Sequence, residues 1–274
     1  MRIRFFEFPL LTIGAGLMLA QAAGGLLARV AAPYPPDAQD ILSRLKGPSW
    51  AHWLGTDNFG RDTLSRILFG YQTLFAISFA SVLAALLVGG SLGVFAAWRG
   101  GWIDSITMRG MDILFAFPII LLAIGIVAIL GPGAFSTGIA IGVVYVPIFA
   151  RTLRAPALVL READYIAAAR TSGSTGARIL LRHFLPNLSG IILVQTSLSL
   201  STAILVEASL SVLGLGTQPP TPSLGRMLAE SRNFLSLSPW VAVFSGAAIL
   251  LASLGFNLLG DGLQDRLDPR FRGG

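Results

Sequence analysis

The chain has 274 residues, of which 54% are hydrophobic and only 12% are charged, and its net charge is +6. Soluble domains carry about 25% charged residues, so this composition and a mean hydropathy of +0.72 exclude an ordinary soluble protein and predict an integral membrane protein. The absence of cysteine excludes disulfides and thiolate metal sites.

Six apolar stretches have or approach the roughly 20 residues that a helix needs to cross a bilayer. In chain order they are residues 8–28, 74–98, 113–130, 135–150, 191–215 and 240–259. The first could be a signal peptide, because Arg2 and Arg4 precede it and the run at Ala20–Ala22 is similar to a cleavage site. Its apolar run extends to Ala28, however, well beyond the ~7–15 residues of a signal sequence, so we predict a retained helix.

The basic residues alternate with the spans, which a positive-inside bias explains better than binding to nucleic acid. With the N-terminus inside, the cytoplasmic segments carry thirteen arginines, and the outer segments carry seven arginines and lysines. The sequence therefore predicts an all-α membrane protein with six transmembrane helices and both termini in the cytoplasm. Residues 1–30 would hold the first helix, 74–260 the other five, and 261–274 a cytoplasmic tail.

Two segments are predicted to lie outside the membrane. The first, residues 31–73, begins with prolines and ends in an amphipathic helix that Asp62 can cap. The second, residues 214–239, carries prolines that forbid a regular helix at first and permit one from about Leu224.

A charged stretch, residues 151–186 within a cytoplasmic loop at 151–189, holds six of the 19 arginines. Residues 157–172 are typical of a helix, Gly173 suits the left-handed residue that ends one, and Ser174 can cap a second helix that Pro186 closes. The two helices form either a docking element, with Arg170, Arg178 and Arg182 facing an acidic groove, or an ordinary basic loop held near anionic lipid.

The chain has one lysine, Lys46, and Gly47 follows it where a phosphate-binding P-loop needs Ser or Thr. If ATP drives this protein, another subunit must bind the ATP. A docking element for such a subunit is therefore the hypothesis that the charged stretch favours.

The charged stretch resembles the cytoplasmic loop signature of ATP-binding-cassette importer permeases. In that signature two alanines are followed, after three residues of any type, by a glycine. Nine further residues separate the glycine from one characteristic position, which is followed by any residue and then Leu-Pro. The matching residues are Ala168, Ala169, Gly173, His183, Leu185 and Pro186. Two positions depart from the family: Ala167 replaces its usual Glu, and His183 its usual Ile. The resemblance implies that the loop docks on an ATPase subunit, with Tyr165 and Arg170 beside these residues.

Three further runs narrow the resemblance to the C-type permease of the dipeptide, oligopeptide and nickel importer group. They lie at residues 55–70, 116–124 and 204–228. The resemblance implies a type I importer permease fold in the bacterial inner membrane, a second related permease, two ATPase subunits and an outer solute-binding protein. It also implies that ATP and magnesium bind to the partner subunits, with no cofactor in this chain. The outer motif residues are Gly55, Thr56, Asp57, Gly60, Arg61, Asp62, Gln218, Pro219 and Pro220.

Glu207 is the one ionisable residue deep within an apolar run. It could lie on the translocation path or at the contact between the permeases, or it could be hydrogen-bonded to a neighbouring helix near the outer face. Pro118 and Pro147 could kink helices beside the pathway or serve packing alone. The pairs Gly89–Gly93 and Gly138–Gly142 predict close helix packing.

The remaining polar residues do not predict an active site. His183 has no ligand-type neighbours in sequence, which argues against a metal site, and Asp57, Arg61 and Asp62 favour a capped turn with a local ion pair. An autonomous ion-coupled transporter is the main alternative, but the sequence has no evident internal repeat. We therefore expect a non-catalytic permease for di- or oligopeptides, with nickel complexes, glutathione and oligosaccharides as alternative solutes.

Overall fold

The computed structural model describes residues 9–267, and within that range it contains helices, turns and one isolated β-bridge. The predicted start of the first span at residue 8, the first two arginines and the tail beyond residue 267 lie outside the described residues. The α-helices are α1 (Pro9–Leu26), α2 (Ala28–Ala31), α3 (Thr63–Ala85), α4 (Ser91–Arg99), α5 (Gly101–Phe115), α6 (Ile119–Leu130), α7 (Ala134–Arg161), α8 (Asp164–Thr171), α9 (Gly176–Ile179), α10 (Leu185–Val212), α11 (Leu224–Ser231) and α12 (Trp240–Leu267).

Two of the membrane-crossing helices are much longer than a bilayer requires. α3 continues through a π-helical turn, Leu86–Gly90, into α4, and α9 continues through a second π turn, Leu180–Phe184, into α10. Each continuous helix has 37 residues, which is ~55 Å against a hydrocarbon core of ~30 Å. The predicted outer amphipathic helix after Asp62 is therefore not separate, because Thr63 begins the second span itself.

Five helices are long and apolar enough to cross a membrane, and α5 with α6 forms a sixth if the bent pair is one span. The axes of α5 and α6 meet at 88°. The break lies at residues 116–118, where Pro118 precedes the first residue of α6. The span predicted at 113–130 is thus wrong in its first part, because proline disfavours a helical conformation in the residue before it.

The two ends of the bundle are named here after the predicted orientation. The outer end holds α2, α11 and the start of α3, and the inner end holds α5, α8 and α9. At the outer end, the backbone N–H of Gly133 donates to the carbonyl of Leu215 at 3.2 Å, which places the start of α7 beside the end of α10. α6 therefore runs from the inner end towards the outer end, which is the direction that a sixth span formed by the bent pair would need.

The main core lies between α3, α6, α7, α10, α11 and α12. Tyr71, Phe75 and Phe256 form ring contacts across α3 and α12. Side-chain hydrogen bonds join the helices within the bundle, where an unpaired polar group is costly. The Tyr145 hydroxyl donates to Thr202 at 2.8 Å, and Ser201 donates to the carbonyl of Ser253 at 2.8 Å.

Candidate functional site

The predicted docking stretch forms a short helix, α8, that ends in a glycine turn. Gly173 has φ +79°, as predicted for the left-handed residue after a helix. Its backbone N–H donates to the carbonyl of Arg170, and that of Ser174 donates to the carbonyl of Ala169, each at 3.0 Å. This pair of bonds is a Schellman motif, which satisfies carbonyls at the end of α8.

The helix boundaries around α8 differ from the prediction. The single helix predicted at 157–172 is wrong, since α7 continues through Pro156 to Arg161 and α8 starts only at Asp164. The second helix is capped by Thr175 rather than Ser174, because the Thr175 hydroxyl accepts from the backbone N–H of Arg178.

Pro186 does not end the second helix. The helix runs on into α10, and the π turn Leu180–Phe184 ends two residues before the proline. Proline lacks an N–H, and its ring clashes with the carbonyl four residues earlier in a regular helix. The wider turn loosens that part of the helix, so Pro186 is accommodated within a continuous span.

The buried face of α8 is fixed to the bundle by a small hydrophobic core, which we call the inner cluster. Ile166 is fully buried in it. Its members come from α4, α7, α8, α9, the second π turn and α10: Ala97, Ala157, Ile166, Ile179, Phe184 and Leu188. The inner cluster thus packs α8 against the inner ends of three membrane-crossing helices.

Trp98, which sequence analysis did not single out, lies between α8 and the second π turn. Its ring contacts Phe184 edge-on, with centroids 5.4 Å apart, and the guanidinium carbon of Arg170 lies 4.3 Å from its ring centroid. Arg170, Arg178 and Arg182 are all exposed, but Arg170 already has an aromatic partner in its own chain. The only sequence signal for Trp98 was its position at the end of an apolar stretch.

The other predicted docking residues form the outward surface of this region. Tyr165, Ala167 and Ala168 are exposed, and Ala169 is partly buried. The Tyr165 ring lies 6.0 Å from that of His183, so the two halves of the loop meet there. Leu185 and Pro186 are exposed one turn further along. The exposed surface of α8 consists largely of small side chains, which permits close approach of another protein.

At the outer end, the motif around Asp57 and Asp62 folds into a tight, buried turn. Asp57 accepts hydrogen bonds from the backbone N–H groups of Phe59 and Arg61 at 2.8 and 3.0 Å, and from Arg61 Nε at 2.6 Å. Asp62 caps α3 as predicted, since its carboxylate accepts from the Ser65 N–H at 2.8 Å. Both carboxylates therefore serve the local fold, as the capped-turn interpretation predicted.

The rest of the outer motif packs this turn against its surroundings. Thr56 forms a β-bridge with Asp62, and Gly55 and Gly60 have φ of +75° and +74°. A side chain at Gly60 would overlap the carbonyl of Asp40. The pKa of the Asp40 carboxyl is lowered, first by a hydrogen bond from Ser43 and then by the backbone N–H of Leu42.

Glu230 joins the two outer segments, and sequence analysis did not identify it. Its carboxylate contacts Arg61 at 3.2 Å and Arg226 at 2.9 Å, and Arg226 donates to the side chain of Gln218 at 3.2 Å. Gln218 in turn precedes the Pro219–Pro220 pair. Glu230 is the only acidic residue between positions 214 and 239, which is the signal that could have found it.

Glu207 is buried within its own chain, with 1% of its surface exposed. One carboxyl oxygen accepts from the Ser211 hydroxyl at 2.8 Å, one turn further along α10, and the other has no partner among the described residues. The hydrogen-bond partner thus lies on the same helix, not on a neighbouring one. In this conformation Glu207 does not line an exposed path or contact surface.

Of the two prolines considered for the pathway, Pro118 lies at the bend between α5 and α6, and Pro147 is buried inside α7, which continues past it. The glycine pairs also differ from each other. A side chain at Gly89 or Gly93 would overlap the carbonyls of Val146 or Ala150 on α7. Gly138 and Gly142 instead line an apolar groove of about 590 Å³ between α3 and α7.

Residues 89–273 match the sequence profile of the family described as "binding-protein-dependent transport system inner membrane component". The chain belongs to this family. The match confirms the resemblance inferred from the charged stretch, and with it the type I importer permease fold and an inner-membrane location. Importers of this family work with ATPase and solute-binding partners.

Three relatives show how similar this permease is to proteins with named transport systems. It is 48% identical over 84% of its length to the dipeptide transport system permease protein DppC of Alkalihalophilus pseudofirmus, covering 76% of that protein. It is 45% identical to the glutathione transport system permease protein GsiD of Pectobacterium atrosepticum, over 95% of this chain and 87% of the relative. It is 44% identical to a putative peptide transport system permease protein of Brucella suis, over 95% and 88%.

Proposed function

We propose that this permease is the membrane subunit of an ATP-driven importer of di- or oligopeptides. The relatives are named for dipeptide, glutathione and peptide transport, and glutathione is itself a short peptide. All three named solutes are peptides, which supports a peptide as the solute of this permease. Nickel complexes and oligosaccharides are the alternative solutes, and no observation on this chain favours them.

The permease pairs in this proposal with a second, related permease to form the translocation path. Two ATPase subunits bind ATP and magnesium beneath the pair, and a solute-binding protein delivers the peptide from outside. This chain binds no cofactor and performs no chemistry. Its contribution is a conformational change that follows ATP binding and hydrolysis on its partners.

The observation that carries the proposal is the construction of α8, whose outward face is exposed while Ile166 on its other face is fully buried in the inner cluster. When the ATPase subunits close, α8 moves with them. The inner cluster passes that movement to α4, α7 and α10. Because packed elements shift as units rather than deform, the movement rocks the spans between inward-open and outward-open arrangements.

Replacement of Ala168 by Trp tests the docking surface. Ala168 is exposed on α8, so a bulky side chain there leaves the fold intact and obstructs close approach of the ATPase. We expect the variant to insert in the membrane but to retain much less ATPase when the complex is purified. Ala38→Trp is the matched control, because Ala38 is also exposed but lies in the outer segment.

Equal ATPase recovery with both variants would contradict docking at α8. Recovery of the unmodified chain as a lone protein that transports solute without ATP would instead support the ion-coupled alternative.

A further inference from the structure

α5 is oriented differently from the membrane-crossing helices. Its axis makes an angle of 88° with that of α6, which runs from the inner end towards the outer end. Gly100 and Gly101, with φ of +66° and +59°, turn the chain sharply between α4 and α5. α5 therefore lies close to the plane of the membrane, at the inner end of the bundle.

One face of α5 is tied to α7. Arg154 donates to both carboxylate oxygens of Asp104, at 2.6 and 2.5 Å, and Arg151 forms an ion pair with Asp112. Met111 is buried on this side. These contacts fix the rotation of α5 about its axis, so the opposite face must point away from the protein.

That outward face is apolar where a water-exposed helix would be polar. Trp102, Ile106 and Ile113 are 72%, 60% and 66% exposed, and Arg109 is exposed among them. Their spacing of four, three and four residues places all four on one side of a helix. An apolar, aromatic face with a cation, on a helix lying in the membrane plane, is typical of helices that sit at the lipid headgroup boundary.

The positions of the tryptophans support the location of α5 at the headgroup boundary. Trp98 and Trp102 lie at the inner end, whereas Trp50, Trp53 and Trp240 belong to the outer segment and the outer start of α12. A side chain at Gly47 would come within 3.0 Å of Trp240 Nε1, so the outer segment reaches the level of that tryptophan. Trp is enriched at both membrane–water interfaces, and the two groups mark those interfaces here.

We propose that the outward face of α5 binds anionic phospholipid of the cytoplasmic leaflet, with Trp102, Ile106 and Ile113 at the acyl boundary and Arg109 on the headgroups. Arg109 can extend its guanidinium to the phosphate while its methylenes stay among apolar neighbours. The inner location of α5 rests on the orientation proposed above. The partner permease is the other surface that could cover this face. It would bury the charge of Arg109 at the centre of the contact, which argues against that partner.

Photo-cross-linking in the native membrane tests the proposal. Ile106 is replaced by p-benzoylphenylalanine in the full complex, and Tyr165, exposed on α8, is replaced in a parallel variant. We expect the probe at position 106 to give phospholipid adducts by mass spectrometry and the probe at 165 to give an ATPase adduct. A permease adduct at 106, or no lipid adduct, would overturn the lipid proposal; failure at 165 alone would count against the proposed function instead.

A second measurement examines the charge. Complexes carrying Arg109→Gln or Arg232→Gln are incubated in nanodiscs of phosphatidylcholine with phosphatidylglycerol, and the phosphatidylglycerol retained after purification is measured. One arginine at an anionic surface corresponds to about fivefold in affinity, so we expect about fivefold weaker retention for Arg109→Gln only. Arg232 is the control, because it is also exposed but lies in the outer segment at residues 214–239, away from α5 and α8. Unchanged retention for Arg109→Gln, or an equal loss for both variants, would overturn the role of Arg109.

Discussion

Gly173 determines where α8 ends. Its place after a run of good helix formers predicted this end, and the positive φ of Gly173 confirms the prediction. The same kind of local signal identified Asp62 as a cap. Both predictions succeeded because caps depend on a few neighbouring residues and on backbone geometry alone. The pairing of Arg170 with Trp98 was not predictable in this way, because the two residues are far apart in sequence.

We predict that Gly173→Val weakens coupling between ATP hydrolysis and transport. No atom lies within 4 Å of a side chain built at Gly173, so the cost comes from the left-handed backbone, about 1–2 kcal/mol for a residue with Cβ. Transport per ATP hydrolysed, measured in reconstituted vesicles, should fall. Gly214→Val is the matched control, because Gly214 has φ +80° and equal space at the other end of the bundle. Coupling that falls no further in Gly173→Val than in this control would contradict the docking role.

At the scale of the element, α8 has one face buried in the inner cluster and one exposed face, on which we propose that the ATPase docks. The periodic pattern predicted a helix here, but not its start at Asp164 or the passage of the chain through Pro186. Those boundaries depend on the inner cluster and on the π turn before the proline, both of which arise from tertiary packing. Helix propensity alone could not show that these tertiary contacts would override the glycine and proline signals in the sequence.

We predict that Ile166→Ala and Tyr165→Ala have different effects on α8. Ile166 is fully buried, so its truncation should destabilise the docked helix by about 2–5 kcal/mol. Hydrogen exchange of the α8 amides, measured on the purified complex, should then become faster. Tyr165 is 46% exposed, so Tyr165→Ala should leave the exchange rates nearly unchanged and reduce ATPase retention. If the two variants gave the same exchange pattern, the assignment of separate faces would be wrong.

For the molecule as a whole, composition and the positions of the apolar stretches predicted a six-helix membrane protein, and the family match and the bundle agree with it. The long helices and the ends of α7 and α10 were not predicted, and a kink at Pro118 was only one of two alternatives, with no indication that it reaches 88°. Hydropathy marks only the part of a helix that lies in lipid, whereas these helices extend beyond it. The glycine pairs were assigned a common role, although only contacts between helices distant in sequence can show which pair is closely packed.

We predict that the two glycine pairs respond differently to methyl groups. Gly89→Ala and Gly93→Ala would each place Cβ against a backbone carbonyl of α7, and such overpacking costs about 1–3 kcal/mol. The midpoint of thermal unfolding of the purified complex should fall, and more for the double variant. A Cβ added at Gly138 would lie 3.5 Å from Ser81 Oγ, and one at Gly142 would lie 3.6 Å from the Ser81 carbonyl oxygen. Both distances are ordinary van der Waals contacts, so alanine should be tolerated at these two positions. Because both pairs contact the same interface between the second span and α7, a similar loss of stability for both would mean that this interface is closer around Gly138 than the structure shows.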